Sequence, residues 1–236
     1  LIDVTERIRI NGEQISWDDI YSYTDYFKPE IIKRKATFFE ATTAIAFKYF
    51  ADHKIDIAVI ETGLGGRWDA TNVLSPLVTV ITNINIEHEE YLGKTYSSIA
   101  KEKGGIIKPF VPCFTATENP KALKKLNSIA ESNQSKLFHV DRFSKAILKN
   151  SSLFEIQTDI NTNKTFYPNL IISLAGEHQL INARLSVLVL EYLRESEGFK
   201  FITNKKIYYG FKKIKENTGL FGRMDVISTS PFLIAD

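Results

Sequence analysis

The sequence predicts an α/β protein, a mostly parallel sheet flanked by helices with a small antiparallel excursion. Three observations predict it. Short apolar runs at 55–60, 77–84, 110–115 and 136–140 alternate with helical patterns at 96–103, 121–133 and 176–194. That alternation is the mark of strand-helix units whose sheet is covered on both faces. Glycine and proline punctuate the joins: Gly104-Gly105 closes one helix and Pro109 introduces the next strand. Between 143 and 175 the character changes to short strands separated by Asn- and Thr-rich turns, which reads as antiparallel.

Composition bounds the function classes. The chain has 236 residues, 44% apolar and 25% charged, with a net charge of +2. These are ordinary globular values, and so small a net charge gives no reason to expect nucleic acid or a membrane surface as partner. Cys113 is the only cysteine, so no disulfide forms within the chain, and a reducing, cytoplasmic setting fits. No apolar run approaches the roughly 20 residues of a membrane span.

Taken in order, Arg7 to Ile10 alternates as a short strand, and Asn11-Gly12 signals a turn. Ser16 is positioned to cap a helix that runs through Tyr26 and stops before Pro29, leaving 28–37 as a loop. Thr37 caps a second helix, with Phe39, Thr43, Phe47 and Phe50 as its apolar stripe. Ile55 to Ile60 reads as a buried strand, followed by the glycine turn Glu61 to Asn72. Leu123, Leu126, Ile129 and Ala130 share one face of the 121–133 helix. Leu180, Leu185, Leu188, Leu190 and Leu193 mark the helix at 176–194, and 204–210 reads as a further helical segment. The expected organisation is a central domain over 1–211, a link over 212–222, and the first strands of another domain over 223–236. The chain opens without methionine and closes at the end of a strand, which suggests a piece of a longer polypeptide.

The residues that bear chemistry cluster at strand ends. Glu61 follows a strand directly and precedes a glycine-rich turn with Arg67. Ligands of open α/β sheets bind outside the carboxyl ends of strands, so the turn reads either as the edge of a metal-phosphate site or as an ordinary strand-to-helix connection. His88 lies among Glu87, Glu89 and Glu90 after the 77–84 strand, as a metal ligand or as part of a solvated acidic loop. If the two strands are neighbours, Glu61 and His88 emerge at one sheet edge. Lys103 ends a helix, where a lysine ordinarily complements the helix dipole. His178 opens a helix after Gly176, Arg223 follows Gly222 near the link, and Asp236 ends the last strand. No Walker A pattern, Cys-x-x-Cys pair or G-x-S-x-G elbow occurs.

At these residues the sequence resembles the folylpolyglutamate synthase/dihydrofolate synthase family of the Mur ligase superfamily. The matching stretches are Arg7 to Gly12, Thr37-Phe38-Phe39-Glu40, Glu61 to Asn72, Glu87-His88 with Leu92-Gly93, Glu102 to Ile107, Gly176-Glu177-His178-Gln179, Gly222-Arg223 and Asp236. Singly each is modest, but their ordered combination is specific. Small departures are Glu87 where aspartate is usual, Gly104 in place of alanine, and Leu180-Ile181 before Asn182.

The resemblance implies a central domain of P-loop NTPase type and an ATP-dependent ligase. That enzyme joins a folate-type carboxylate, dihydropteroate or a tetrahydrofolate, to L-glutamate through an acyl phosphate. It implies Glu61 and His88 as Mg2+ ligands. Lys103 is implied as a carbamylated lysine supporting a second Mg2+, which overturns the dipole reading. His178, Gln179 and Asn182 are implied near adenine, Arg223 on the ATP phosphates and Asp236 on the nucleotide. Phe39, Asp69 and Ala70 are implied at the pteroate end of the substrate. A cytoplasmic monomer is expected. The phosphate-binding loop is expected upstream of Leu1 and most of the glutamate-binding domain beyond Asp236, so the chain alone is expected not to ligate. Muramyl-peptide or cyanophycin-type ligases, and a non-catalytic nucleotide-binding module, are the competing readings.

Overall fold

The computed structural model describes residues 3–220, 222 and 225–235. Two compact units divide between Leu74 and Ser75.

In the first unit, β1 (Arg9–Ile10) and β2 (Glu13–Gln14) form a two-stranded hairpin through the Asn11-Gly12 turn. Helix α1 (Trp17–Arg34) starts at Ser16, whose hydroxyl accepts the Asp19 N–H at 3.0 Å. The helix does not stop before Pro29; it continues to Arg34 and ends at left-handed Lys35. Pro29 removes one N–H, but the turns beyond it hold through the ordinary ladder and a Glu30–Arg34 pair at 2.7 Å.

Helix α2 (Phe38–Asp52) opens with a capping box. The Glu40 N–H donates to Thr37 Oγ1 at 3.2 Å, and the Thr37 N–H donates to Glu40 Oε2 at 2.7 Å. Its buried residues are Thr42, Thr43, Ile45 and Tyr49, with Ala46 and Phe50 packed against the core; of the expected stripe, Thr43 and Phe50 lie on this side, whereas Phe39 and Phe47 are not part of this core. Ile8, Ile15 and Ile20 complete this core. Residues 55–60 form no strand: among the described residues no backbone ladder pairs with them, and Val59 is 95% exposed. An apolar alternation becomes a strand only where a neighbour supplies the ladder.

The second unit holds a parallel sheet of β3 (Thr79–Ile81), β4 (Cys113–Thr115) and β5 (Leu137–His139), paired in that order. A short helix α3 (Glu89–Leu92) follows β3, and α4 (Tyr96–Lys103) and α5 (Pro120–Ser132) lie between the strands. Side chains alternate across the sheet. Cys113 packs with Ile99, Leu126 and Ala130 of α4 and α5, while Phe114 packs on the opposite face with Leu185 and Leu188. Burial pushes the Cys113 thiol up to about 12, so it is inert.

After α6 (Val140–Phe143), the strands β6 (Ser144–Ser151), β7 (Ile156–Thr162) and β8 (Phe166–Ile172) make the expected antiparallel sheet. Helix α7 (His178–Ser196) is shared between the two sheets. Ile181, Leu185, Leu188 and Tyr192 face the parallel sheet, and Leu180, Ala183, Val187 and Leu190 face the antiparallel one. Two stripes of period 3.6 on one helix leave little of its surface for water. Glu191, 2% exposed on α7, accepts from the Thr162 and Tyr167 hydroxyls at 3.0 Å each. Arg184 ties α7 to the α6–β6 junction through Asp141 at 2.7 Å and the Ser144 carbonyl at 2.6 Å.

Helix α8 (Asn204–Lys212) packs on β8, and α9 (Ile214–Thr218) falls within the segment 212–222 expected as a link. An antiparallel pair, β9 (Asp225–Thr229) with β10 (Phe232–Ala235), ends the described chain. Among the described residues no helix is long and apolar enough to cross a membrane.

Candidate functional site

Within the second unit, the segment after β3 carries His88. Its backbone is left-handed, with φ of 49°, a conformation that costs a non-glycine residue about 1–2 kcal/mol. The conformation is held from below: the His88 carbonyl accepts the Tyr91 and Leu92 N–H groups at 2.9 Å each, and Leu92 is buried in the core. The His88 side chain makes no capping hydrogen bond.

Lys103, at the end of α4, reaches the preceding residue: its Nζ lies 2.9 Å from Glu87 Oε1. The Lys103 hydrogen bond holds the Glu87 carboxyl below the usual carboxylate range, against the opposing effect of partial burial. Lys103 is positioned by packing behind it. A Cβ on Gly104 would stand 2.7 Å from Ile129 Cδ1, so α4 closes against α5 at its last turn.

Asn83 and Asn85 beyond β3, and Glu118 and Asn119 beyond β4, line a cleft of about 230 Å³ with Ile84 and Tyr96. None of these was singled out from the sequence. Their signal was position alone, just past the carboxyl ends of parallel strands.

The chemistry of Glu87, His88 and Lys103 fits Mg2+ only conditionally. An imidazole and a carboxylate are donors, but an ammonium repels a cation. Lys103 fits as a carbamate, whose oxygens are the hard donors Mg2+ prefers. Among the described residues no three His, Cys, Asp or Glu side chains gather as a ready-made metal group.

The three residues expected near adenine come together on the first turn of α7. Gln179 Nε2 lies 3.0 Å from His178 Nε2, and the Asn182 amide donates to Gln179 Oε1 at 3.0 Å. Gly176, with φ of 95°, lets the chain enter this turn with the His178 ring folded over it. A Cβ there would meet His178 Cε1 at 2.5 Å. Gly176→Ala is expected to cost about 1–2 kcal/mol from the backbone alone and to swing His178 outward. A melting curve checks it, and an unchanged midpoint would show that the turn relaxes freely.

In the first unit, Glu61 is exposed immediately before the glycine turn. Phe39 packs on Gly63, where a Cβ would stand 2.7 Å from the ring's Cζ. Asp69 caps the short 3-10 turn Ala70–Val73. Arg223 and Asp236 lie outside the described residues.

Comparison with known proteins agrees with this architecture. Residues 12–190 match the Mur ligase middle domain. The chain is 35% identical to the dihydrofolate synthase/folylpolyglutamate synthase of Bacillus subtilis, over 100% of this chain and 55% of that protein. The folylpolyglutamate synthase structure from Thermotoga maritima superposes with a TM-score of 0.81 at 33% identity, covering 94% of this chain and 50% of that one. The Mycobacterium tuberculosis folylpolyglutamate synthase complexed with ADP gives a TM-score of 0.85 at 28% identity, covering 98% and 53%. The chain thus spans about half the length of these relatives. A parallel sheet roofed by a doubly buried α7, together with these matches, places the chain in the Mur ligase family, in its folylpolyglutamate synthase/dihydrofolate synthase branch.

Proposed function

We propose that this chain forms the nucleotide- and metal-handling part of an ATP-dependent ligase that joins a folate-type carboxylate to L-glutamate. The observation that carries the reading is the grouping of His88 and the Glu87–Lys103 pair at the carboxyl edge of a parallel sheet in a member of this family. The relatives named as folylpolyglutamate synthases, one of them complexed with ADP, support it.

In the second unit, His88 is proposed as a Mg2+ ligand and a carbamate on Lys103 as the support of a second ion. Bound there, Mg2+ would supply positive charge for phosphate oxygens. Neutral Lys103 adds carbon dioxide and releases a proton, which turns the cation opposite Glu87 into an anion. His178, Gln179 and Asn182 are proposed to receive adenine, their amide and imidazole groups offering donors and acceptors on one helical turn. In the first unit, Glu61 is proposed as a Mg2+ ligand, and Phe39 with the Asp69-Ala70 end of the glycine turn as the pteroate end of the substrate site. Arg223 and Asp236 are proposed to contact the nucleotide.

The test is ADP release by the intact gene product, with dihydropteroate plus glutamate and separately with a tetrahydrofolate plus glutamate. Activity with at least one pair is expected. Activity with neither, alongside activity on a UDP-muramyl substrate, would reject the folate assignment.

A further inference from the structure

His139 takes no part in the ligase site proposed above, yet it stands between the cleft beyond β4 and the helix that carries the proposed adenine turn. It is the last residue of β5 and lies in register beside Thr115 of β4. Both ring nitrogens are engaged, by partners of opposite kind. Nε2 lies 2.9 Å from the Thr117 carbonyl oxygen, and Nδ1 lies 3.3 Å from the Asp141 backbone nitrogen. A carbonyl only accepts and an amide N–H only donates. The ring therefore carries its hydrogen on Nε2 and a lone pair on Nδ1. Neither the other tautomer nor the imidazolium makes both bonds.

Each bond leads to a different place. The Thr117 carbonyl belongs to the peptide that begins Glu118, and Glu118 and Asn119 line the cleft. A buried bracket supports that peptide: the Thr117 N–H donates to Thr115 Oγ1 at 3.1 Å, and the two threonine hydroxyls lie 2.8 Å apart. On the other side, Nδ1 caps α6, and α6 holds the start of α7 in two ways. The Asp141 carboxylate pairs with Arg184, two positions beyond Asn182, at 2.7 Å. Val140 shares a core with Ile181, which lies between Gln179 and Asn182. We infer that His139 is a positioning residue that joins the cleft beyond β4 to the first turn of α7, fixing the Glu118 peptide through Nε2–H and the start of α6 through Nδ1. That the joined turn serves a nucleotide rests on the ligase reading; the joint itself does not.

Nuclear magnetic resonance of the 236-residue chain, with ADP titration of the intact protein, tests it. In the unsubstituted chain at neutral pH, the ring nitrogen resonances of His139 should show a protonated Nε2 and a bare Nδ1. His139→Gln keeps an amide donor near the Nε2 position but loses the cap on α6. It should shift the backbone resonances of His178, Gln179 and Asn182 and weaken ADP binding about threefold to tenfold, the worth of one net hydrogen bond. His139→Asn keeps an acceptor near the Nδ1 position but loses the bond to Thr117. It should shift Glu118 and Asn119 and leave ADP affinity closer to that of the unsubstituted protein. The amides of Ile99 and Ala130, in the core on the other face of the sheet, should stay in place in both variants, which separates a loosened joint from an unfolded unit. A side chain that merely fills space would give the same response to both substitutions. A protonated Nδ1 in the unsubstituted chain, or unmoved His178, Gln179 and Asn182 resonances in His139→Gln, would overturn the inference. If the unsubstituted intact protein binds no ADP, the ligase reading fails while the resonance shifts still decide the joint. Should one variant not fold, the other variant and the ring resonances decide it.

Discussion

Lys103→Ala in the intact protein is expected to lower ligase turnover by roughly 10²–10³-fold, the loss typical of removing one preorganised electrostatic group. Formate or acetate should restore part of it by standing in for the carbamate oxygens. Lys103→Arg sharpens the test, because it keeps a cation opposite Glu87 but cannot accept carbon dioxide as a stable carbamate. It should be as inactive as the alanine variant and should not respond to carboxylates. Stability should scarcely move in either case. The Lys103–Glu87 pair is partly solvated, with the lysine side chain 22% exposed, and pairs of that kind contribute about 0–1 kcal/mol. Full activity in Lys103→Arg would show that the residue serves only as a charge partner and would remove the carbamate from the proposal.

Phe114→Ala should produce the largest loss of stability. Phe114 is fully buried on the α7 face of the parallel sheet. Its ring stacks on Phe138 at 4.8 Å between centroids and meets Tyr192 edge-on at 5.7 Å. Truncating a buried phenylalanine costs about 3–5 kcal/mol. In a chain of this size each kcal/mol lowers the midpoint by roughly 2–4 °C, so a fall on the order of 10 °C is expected. The effect should reach the site as well. Phe114 seats the helix whose first turn carries His178, Gln179 and Asn182, so ADP affinity of the intact protein should fall with stability. Phe114→Leu should lose less of both, because more of the volume is kept. A midpoint unmoved by Phe114→Ala would mean that α7 is seated by other contacts, with the Arg184 and Glu191 bonds as the next to remove.

What could be read from the residues divides along the range of the forces. Helix α4 falls on the expected Tyr96–Lys103, and the starts of α1 and α2 fall at Ser16 and Thr37. In each case a cap side chain and the N–H it satisfies lie within three residues of one another. The resemblance named His178, Gln179 and Asn182 together, and the structure brings them into contact because residues three and four apart share a helical face. The order and type of strands in the second unit also followed from period and punctuation.

Other features depended on partners distant in the chain. Whether Ile55 to Ile60 became a strand rested on a ladder that local pattern cannot supply. Which face of α2 was buried rested on where Ile8, Ile15 and Ile20 came to lie. The meeting of Glu87 and Lys103 spans sixteen positions (103 minus 87) and required β3 and α4 to fold onto one side of the sheet. Asp69 shows the same division within nine residues. Its place in a glycine turn was legible, but that its carboxylate accepts the turn's own Gly63 and Leu64 N–H groups was not.

The sequence by itself determined the fold class, the helix starts and the family, because these rest on short-range bonds and on an ordered set of motifs. Only the tertiary structure decided which polar groups are left to meet a ligand. That depends on which donors and acceptors the chain has already spent on itself, and such accounts close only when distant segments are in place.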